Sequence, residues 1–428
     1  MLESQLEKWI VSQASRPLPL ALVLPSGHRI DLGGPAKVVM RLQDVTAIRS
    51  LLSPTLSNLG TAYVEGQLDM EGRVEDIVEV AIELSKLSGG EDFVDPNVGL
   101  FSRLLSHTRK RDRDAIEYHY DVSNDFYKLF LDREMVYSCG YFKHDDDSLD
   151  TAQLNKIDHI LTKLRLTAKD RLLDVGCGWG ALIIRAAQRG ARAVGVTLSK
   201  NQYEYTRERI DQLGLSDRCE VRLQDYRDIP ATDRFDKIAS VGMFEHVGHK
   251  NLKLYFERMH GLLRDGGAML MHGITSTHPD RREVGRGGGE FIDKYVFPDG
   301  ELPHVTFAMR ALAEAGFEVV DTESLRRHYA RTLKHWAHRI DQNADAARAI
   351  AGEKRFRIWR VYLAGCAYGF MNNWMNIYQM LSCKLGGPDE NRLPMTRDWI
   401  YQATPAAELA SPHEASGFIA HSQPVPTA

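Results

Sequence analysis

An apolar run, Arg171 to Val175, ends in Asp174-Val175-Gly176-Cys177-Gly178-Trp179-Gly180 and passes directly into a helical stretch, Ala181 to Arg189. Glycine at alternate positions lets the backbone turn tightly and leaves room for a ligand where a Cβ would otherwise stand. A strand feeding a glycine loop that opens a helix is the first unit of an α/β sheet. The pattern repeats downstream. Arg192 to Leu198, Glu220 to Leu223, Phe235 to Val241 and Ala268 to Ile274 read as strands, with helices such as Gln202 to Leu213 between them. Strands alternating with helices imply a doubly wound sheet, which we place over residues 116–383.

The remainder of the 428 residues divides around that unit. Residues 1–100 read as a small mixed α+β domain. Leu20 to Leu24 and His28 to Leu32 flank the turn Pro25-Ser26-Gly27, and a helix with apolar residues at helical spacing runs from Val74 to Leu87. Residues 101–115 form a basic linker containing Arg103 and Arg109-Lys110-Arg111-Asp112-Arg113, which reads either as solvated charge or as a patch for anionic lipid headgroups. Residues 384–428 turn to Gly, Pro, Ala and Ser and read as a tail, largely disordered after about residue 403.

Composition excludes several function classes. A net charge of −4 gives no sign of nucleic-acid binding, and no stretch of 18 apolar residues exists to span a bilayer. Met1 to Lys8 is polar and lacks a signal-peptide pattern, so a cytoplasmic location is expected, with any membrane contact peripheral. The five cysteines are scattered without a C-x-x-C pair, which fits reduced thiols and neither a disulfide framework nor a metal site.

The glycine loop alone would also suit a dinucleotide. Two features point instead to S-adenosylmethionine. Asp174 suits the ammonium of a methionine moiety, and Thr197-Leu198-Ser199-Lys200-Asn201-Gln202 offers hydroxyls and an amide for ribose, with no lone acid of the nicotinamide-ribose kind. Gln224-Asp225-Tyr226 closes the third strand, where an adenine could meet an edge hydrogen bond and an aromatic face.

Several stretches, in order, resemble the cyclopropane-fatty-acyl-phospholipid synthases and the related mycolic acid cyclopropane synthases. They are His119 to Tyr127, Tyr137 to Phe142, Leu173 to Gly180, Thr197 to Gln202, Phe244 to Gly248, His328 to Leu333 and Gly365-Cys366-Ala367. Ala62 to Asp69 resembles the N-terminal lipid-associated domain of the phospholipid branch. The resemblance implies a class I S-adenosylmethionine methyltransferase, Rossmann-like, that converts the cis double bond of a membrane phospholipid's acyl chain to a cyclopropane. It assigns the cofactor to Tyr137, Ser138, Asp174, Gly176, Cys177, Gly178, Gly180, Thr197, Leu198, Ser199, Gln202 and Tyr226. In the mycolic enzymes a Trp-Glu pair stands where this chain has Tyr226-Arg227. Glu245, His272, Tyr329 and the backbone beside Cys139 are implied to hold a bicarbonate ion as general base, with Cys366 beside the reacting centre in a positioning role. Taken singly, His272 reads as a core histidine and Tyr329 as a packing residue. Members of the phospholipid branch are often dimers, so the resemblance allows a homodimer.

Two further readings concern one helix. Phe356, Trp359, Leu363, Cys366 and Phe370 form a stripe that is either a core seam or the wall of an acyl-chain tunnel. Lys354, Arg355, Arg357 and Arg360 crowd its N-terminal end, either solvated or facing a lipid phosphate. The same scaffold also supports a methylene or mid-chain methyl fatty acid synthase, a small-molecule N-methyltransferase, or a lipid carrier without turnover.

Overall fold

A computed structural model describes residues 17–89, 91–94, 123–280, 282–298, 300–386 and 393–401. Arg103, the Arg109–Arg113 run, His119 to Val122 and the tail beyond residue 401 lie outside the described residues.

The first sheet contains β1 (Leu20–Val23), β2 (Arg29–Asp31), β3 (Val38–Leu42) and β4 (Leu68–Glu71), in the order β2-β1-β3-β4. The expected hairpin forms, with Ala21 opposite Asp31 and Gly27 in the left-handed region at φ 85°. Helices α1 (Val45–Leu52), α2 (Leu56–Val64) and α3 (Val74–Lys86) cover it. Leu20, Leu22, Val38 and Met40 meet Ile48, Leu59, Ile77 and Leu84 in a separate core. A short strand, β5 (Phe93–Val94), leads out of this unit.

The second unit runs α4 (Asn124–Lys128), α5 (Leu149–Lys163), β6 (Arg171–Val175), α6 (Ala181–Gln188), β7 (Arg192–Thr197), α7 (Lys200–Gln212), β8 (Cys219–Leu223), β9 (Phe235–Val241) and α8 (Leu252–Leu262). It continues with β10 (Leu263–Ser276), β11 (Glu283–Val284, paired with β5), α9 (Gly288–Tyr295), α10 (Val305–Glu314), β12 (Phe317–Ser324), α11 (Arg326–Gln342), α12 (Ala344–Met371), β13 (Met375–Lys384) and α13 (Asp398–Tyr401). The seven-stranded sheet has the order β12-β13-β10-β9-β6-β7-β8, parallel from β10 to β8, with β13 antiparallel to both neighbours. All five strands read from the sequence are present. Ala268 to Ile274 belongs to the longer β10, whose register against β9 breaks between Leu263 and Ala268.

Each face of this sheet is buried. Leu172, Ala239 and Leu270 pack against α5 and α6, while Met269 and Met271 pack against α8 and α10. Because β6 leads to β7 and β8 on one side and β9 then returns to its other side, the strand order reverses at β6/β9. Ligands of open α/β sheets bind at the carboxyl ends of the strands beside such a switch.

Helix α12 contains a break at Gly352 (φ 80°, ψ 162°). Three of the four cations in the basic cluster beyond it are paired within the protein. Lys354 pairs with Glu65 at 2.8 Å. Arg357 bridges Glu353 and Asp69 and donates to the carbonyls of Tyr63 and Leu68. Arg360 pairs with Asp341 at 2.7 Å and donates to Tyr63 Oη and the carbonyls of Met70 and Gly72. Carboxylates and backbone carbonyls of the first unit, together with Glu353 and Asp341, take these cations, so α12 is fastened to β4 and α2. Arg360→Met is expected to cost about 2 kcal/mol, below the ~3–5 kcal/mol of a fully buried pair because Asp341 stays 30% exposed. Urea unfolding measures it, and an unchanged midpoint and slope would show that these bonds add nothing.

Candidate active site

A cavity opens at the switch point, where the carboxyl ends of β6, β7 and β9 meet the loop before α5. Asp174, Gly176, Cys177, Gly178, Thr197, Leu198, Gln202, Tyr226, Tyr137 and Ser138 all line it. Gly178 has φ 54°, lines the cavity, and has no atom within 4 Å of where its Cβ would stand, so that direction is open space. The Trp179 indole donates to Asn124 Oδ1 at 2.8 Å and its ring lies 4.9 Å from that of Tyr127, so α4 braces the loop from behind.

Two assigned cofactor residues do other work. Gly180 has φ 83°, and a Cβ there would overlap the Thr206 methyl, so its role is to let α6 and α7 close together. Ser199 lies outside the lining and caps α7, its Oγ accepting from Gln202 N at 3.4 Å. Both shape the loop ends and neither borders the cavity.

The polar groups are set for a charged ligand. Asp174 is 3% exposed and its Oδ1 has no hydrogen-bond partner. Burial pushes its carboxyl up to about 7, against the opposing pull of Lys156. An ammonium beside it would satisfy the orphaned oxygen and restore its charge. Thr197 Oγ1 donates to Gln202 Oε1 at 2.8 Å, holding both at the rim. Tyr226 stands edge-on to Tyr255 at 5.0 Å, and Asp225 is held by Arg227 through bonds of 2.9 and 2.7 Å. An unpartnered carboxylate beside an open glycine cradle and a hydroxyl–amide rim fits the amino-acid and ribose parts of S-adenosylmethionine.

The residues assigned to the base are all buried. Strand β9 stops at Val241, opposite His272, and beyond that point Glu245 takes over the β10 edge, its Oε1 accepting from Ile274 N at 2.6 Å. Glu245 Oε2 has no partner, and burial pushes the carboxyl up to about 7. His272 receives a hydrogen bond at Nδ1 from Gln379 Nε2 at 3.1 Å, which leaves its proton on Nε2, and that atom too has no partner. Burial, reinforced by the charges of Lys156 and Lys163, holds His272 well below its ordinary pKa, so it is neutral.

Tyr329 sits in the first turn of α11, with its ring 4.7 Å from that of Phe370. Cys366 faces Tyr362, whose hydroxyl is also in hydrogen-bonding contact with Tyr137. Burial pushes the Cys366 thiol up to about 12, which removes it as a nucleophile. The rest of its stripe is a packed seam, in which Trp359 touches Phe126, Tyr127, Phe130 and Tyr137. The Cys139 thiol is fully buried, 3.2 Å from Gly140 O. Of the amides beside it, Gly140 N donates to Thr332 Oγ1 and Tyr141 N to Ala152 O, which leaves Cys139's own as the candidate donor.

Sequence reasoning missed Lys156, Tyr362 and Gln379. The one available signal was on α5, where Lys156, His159 and Lys163 recur at helical spacing along the edge of the helix's apolar face.

This fold and site define an S-adenosylmethionine-dependent methyltransferase. Residues 107–380 match the family model described as mycolic acid cyclopropane synthetase, and the chain belongs to that family. It is 49% identical over 387 residues to a probable fatty acid methyltransferase of Pseudomonas putida, covering 90% of this chain and 97% of that one. It is 32% identical to the tuberculostearic acid methyltransferase of Mycobacterium tuberculosis, covering 89% and 91%. Among solved structures, mycolic acid cyclopropane synthase complexed with SAH and CTAB is 36% identical with a TM-score of 0.60, covering 64% of this chain and 98% of that one. Among the described residues no helix is long and apolar enough to cross a membrane.

Proposed function

We propose that the enzyme methylates the cis double bond of an unsaturated phospholipid acyl chain at the membrane surface and closes a cyclopropane ring, with bicarbonate as the proton acceptor. The observation that carries this reading is that two of the assigned groups, Glu245 Oε2 against β10 and His272 Nε2 on it, are buried without a partner. A neutral imidazole with a free Nε2 donor, and a carboxyl that burial pushes up to about 7, each suit a small oxyanion better than hydrocarbon. Bound S-adenosylmethionine would supply an electrophilic methyl, and bound bicarbonate a base.

The protein's own residues then have three tasks. Asp174, Gly178 and the Thr197–Gln202 rim orient the donor, which lowers the barrier by proximity. The aromatic wall of Tyr137, Tyr329 and Tyr362 excludes water, which would otherwise trap the alkyl cation as an alcohol. Glu245 and His272 hold the acceptor to which the proton of the new methyl passes, and the freed C–H electron pair closes the ring.

A second reading has a specific observation behind it. The two relatives above that match about nine-tenths of this chain are named as a probable fatty acid methyltransferase and a tuberculostearic acid methyltransferase. A 1,2-hydride shift that moves the cation onto the methyl-bearing carbon, before the new methyl gives up its proton, would let the freed C–H pair form a methylene branch of the same mass. Proton NMR of lipids from an expressing host separates the two. Upfield ring-methylene signals are expected, and vinylidene signals in their place would overturn ring closure.

A further inference from the structure

Lys156, on α5, is 3% exposed and borders the donor cavity beside Asp174, Tyr137 and Ser138. Its Nζ donates to Ser138 Oγ at 3.0 Å. The carboxylates that act on it do so through charge alone. Asp132 is already committed, Oδ1 to Val136 N and Oδ2 to Glu134 N, each at 2.9 Å, and Asp174 keeps Oδ1 unpartnered. One turn before the lysine, Gln153 Nε2 donates to Ser138 O at 2.8 Å. Met135, two residues before Tyr137, holds a left-handed φ of 57°. The segment carrying Ser138 is therefore pinned from two consecutive turns of α5 and presents the hydroxyl and the ammonium together.

The cavity wall thus carries two buried charges of opposite sign, each short of a partner. A buried ammonium with a single hydroxyl partner is costly unless an anion joins it. Burial already draws Lys156 down to about 8. The amino-acid end of the methyl donor is a zwitterion, with an ammonium and a carboxylate on adjacent atoms. We infer that Lys156, with Ser138, receives the carboxylate of the donor's amino-acid end while Asp174 receives its ammonium. This rests on S-adenosylmethionine being the donor. It also accounts for a cation in the wall of a site that must admit a sulfonium: the lysine is neutralised by the donor's own carboxylate.

Calorimetry with S-adenosylmethionine and its decarboxylated form tests the assignment without turnover. Wild type should bind the decarboxylated form roughly 10- to 100-fold more weakly, the scale of a charge-assisted hydrogen bond. Lys156→Gln should lose that preference and bind both forms within about twofold of each other. A purely structural lysine, by contrast, would weaken both forms and keep the ratio. Ser138→Ala keeps the lysine's charge, should narrow the same ratio, and serves if Lys156→Gln does not fold. No preference in wild type, or an unchanged ratio in either variant, overturns the assignment. Failure of wild type to bind either form would instead overturn the donor itself.

Discussion

Glu245→Gln is expected to lower turnover by roughly 100- to 10,000-fold, the scale of lost general acid–base help, while S-adenosylmethionine affinity stays near wild type. The substitution is conservative in shape. The glutamine carbonyl can still accept from Ile274 N, so the end of β10 keeps its partner where β9 has stopped. What disappears is the ionisable Oε2, the partnerless atom aimed at the proposed acceptor. Removing dissolved bicarbonate should slow wild type much more than the variant, which has already lost the use of that ion. Residual turnover should divert to hydroxylated or unsaturated methylated products as the cation finds another exit. Product analysis by mass spectrometry and proton NMR with and without bicarbonate, beside a binding titration, reads these outcomes. Ring formation at the wild-type rate, or failure caused only by lost cofactor affinity, would remove Glu245 from the acceptor site.

Gly178→Val should abolish S-adenosylmethionine binding in a protein that still folds. The glycine has φ 54°, so a β-branched residue there carries about 1–2 kcal/mol of backbone strain, which a chain of this size can absorb. Its Cβ would meet no protein atom within 4 Å and would stand in open space at a residue that lines the cavity, against the proposed position of the donor's methionine backbone. The lost volume therefore falls on the ligand and not on the core. Circular dichroism should show an intact fold while calorimetry shows no binding heat. Unchanged affinity in the folded variant would place the donor somewhere else.

Much of this was legible because of local chemistry. Strands β6, β7 and β9 are short apolar runs, and the glycine spacing after β6 announces both a turn and a ligand. The antiparallel edge was not legible, for an equally physical reason. Strand β12 is half exposed and reads Phe-Glu-Val-Val-Asp-Thr-Glu-Ser, while β13 buries Gln379 and Ser382 within its run, so neither shows a clean period. The roles of Arg357 and Arg360 were invisible because their partners, Tyr63 to Gly72, lie nearly 300 positions earlier in the chain, at separations of 288 to 297. Charge on a helix looks solvated until its long-range partner is known.

The strand order has a consequence for how the enzyme is made. Strand β13 is the last of the sheet in sequence, yet it lies between β12 and β10. As the chain emerges from the ribosome, β10 and β12 each present an unpaired edge until residues 375–384 arrive to fill the slot. Open edges of this kind invite pairing with other chains. The arriving strand also carries Gln379, which sets the tautomer of His272. A nascent chain halted before residue 375 would therefore have its glycine loop and cofactor rim in place but no oriented imidazole. On the proposed mechanism, the partner that orients His272 arrives last, in the same event that fills the gap between β10 and β12.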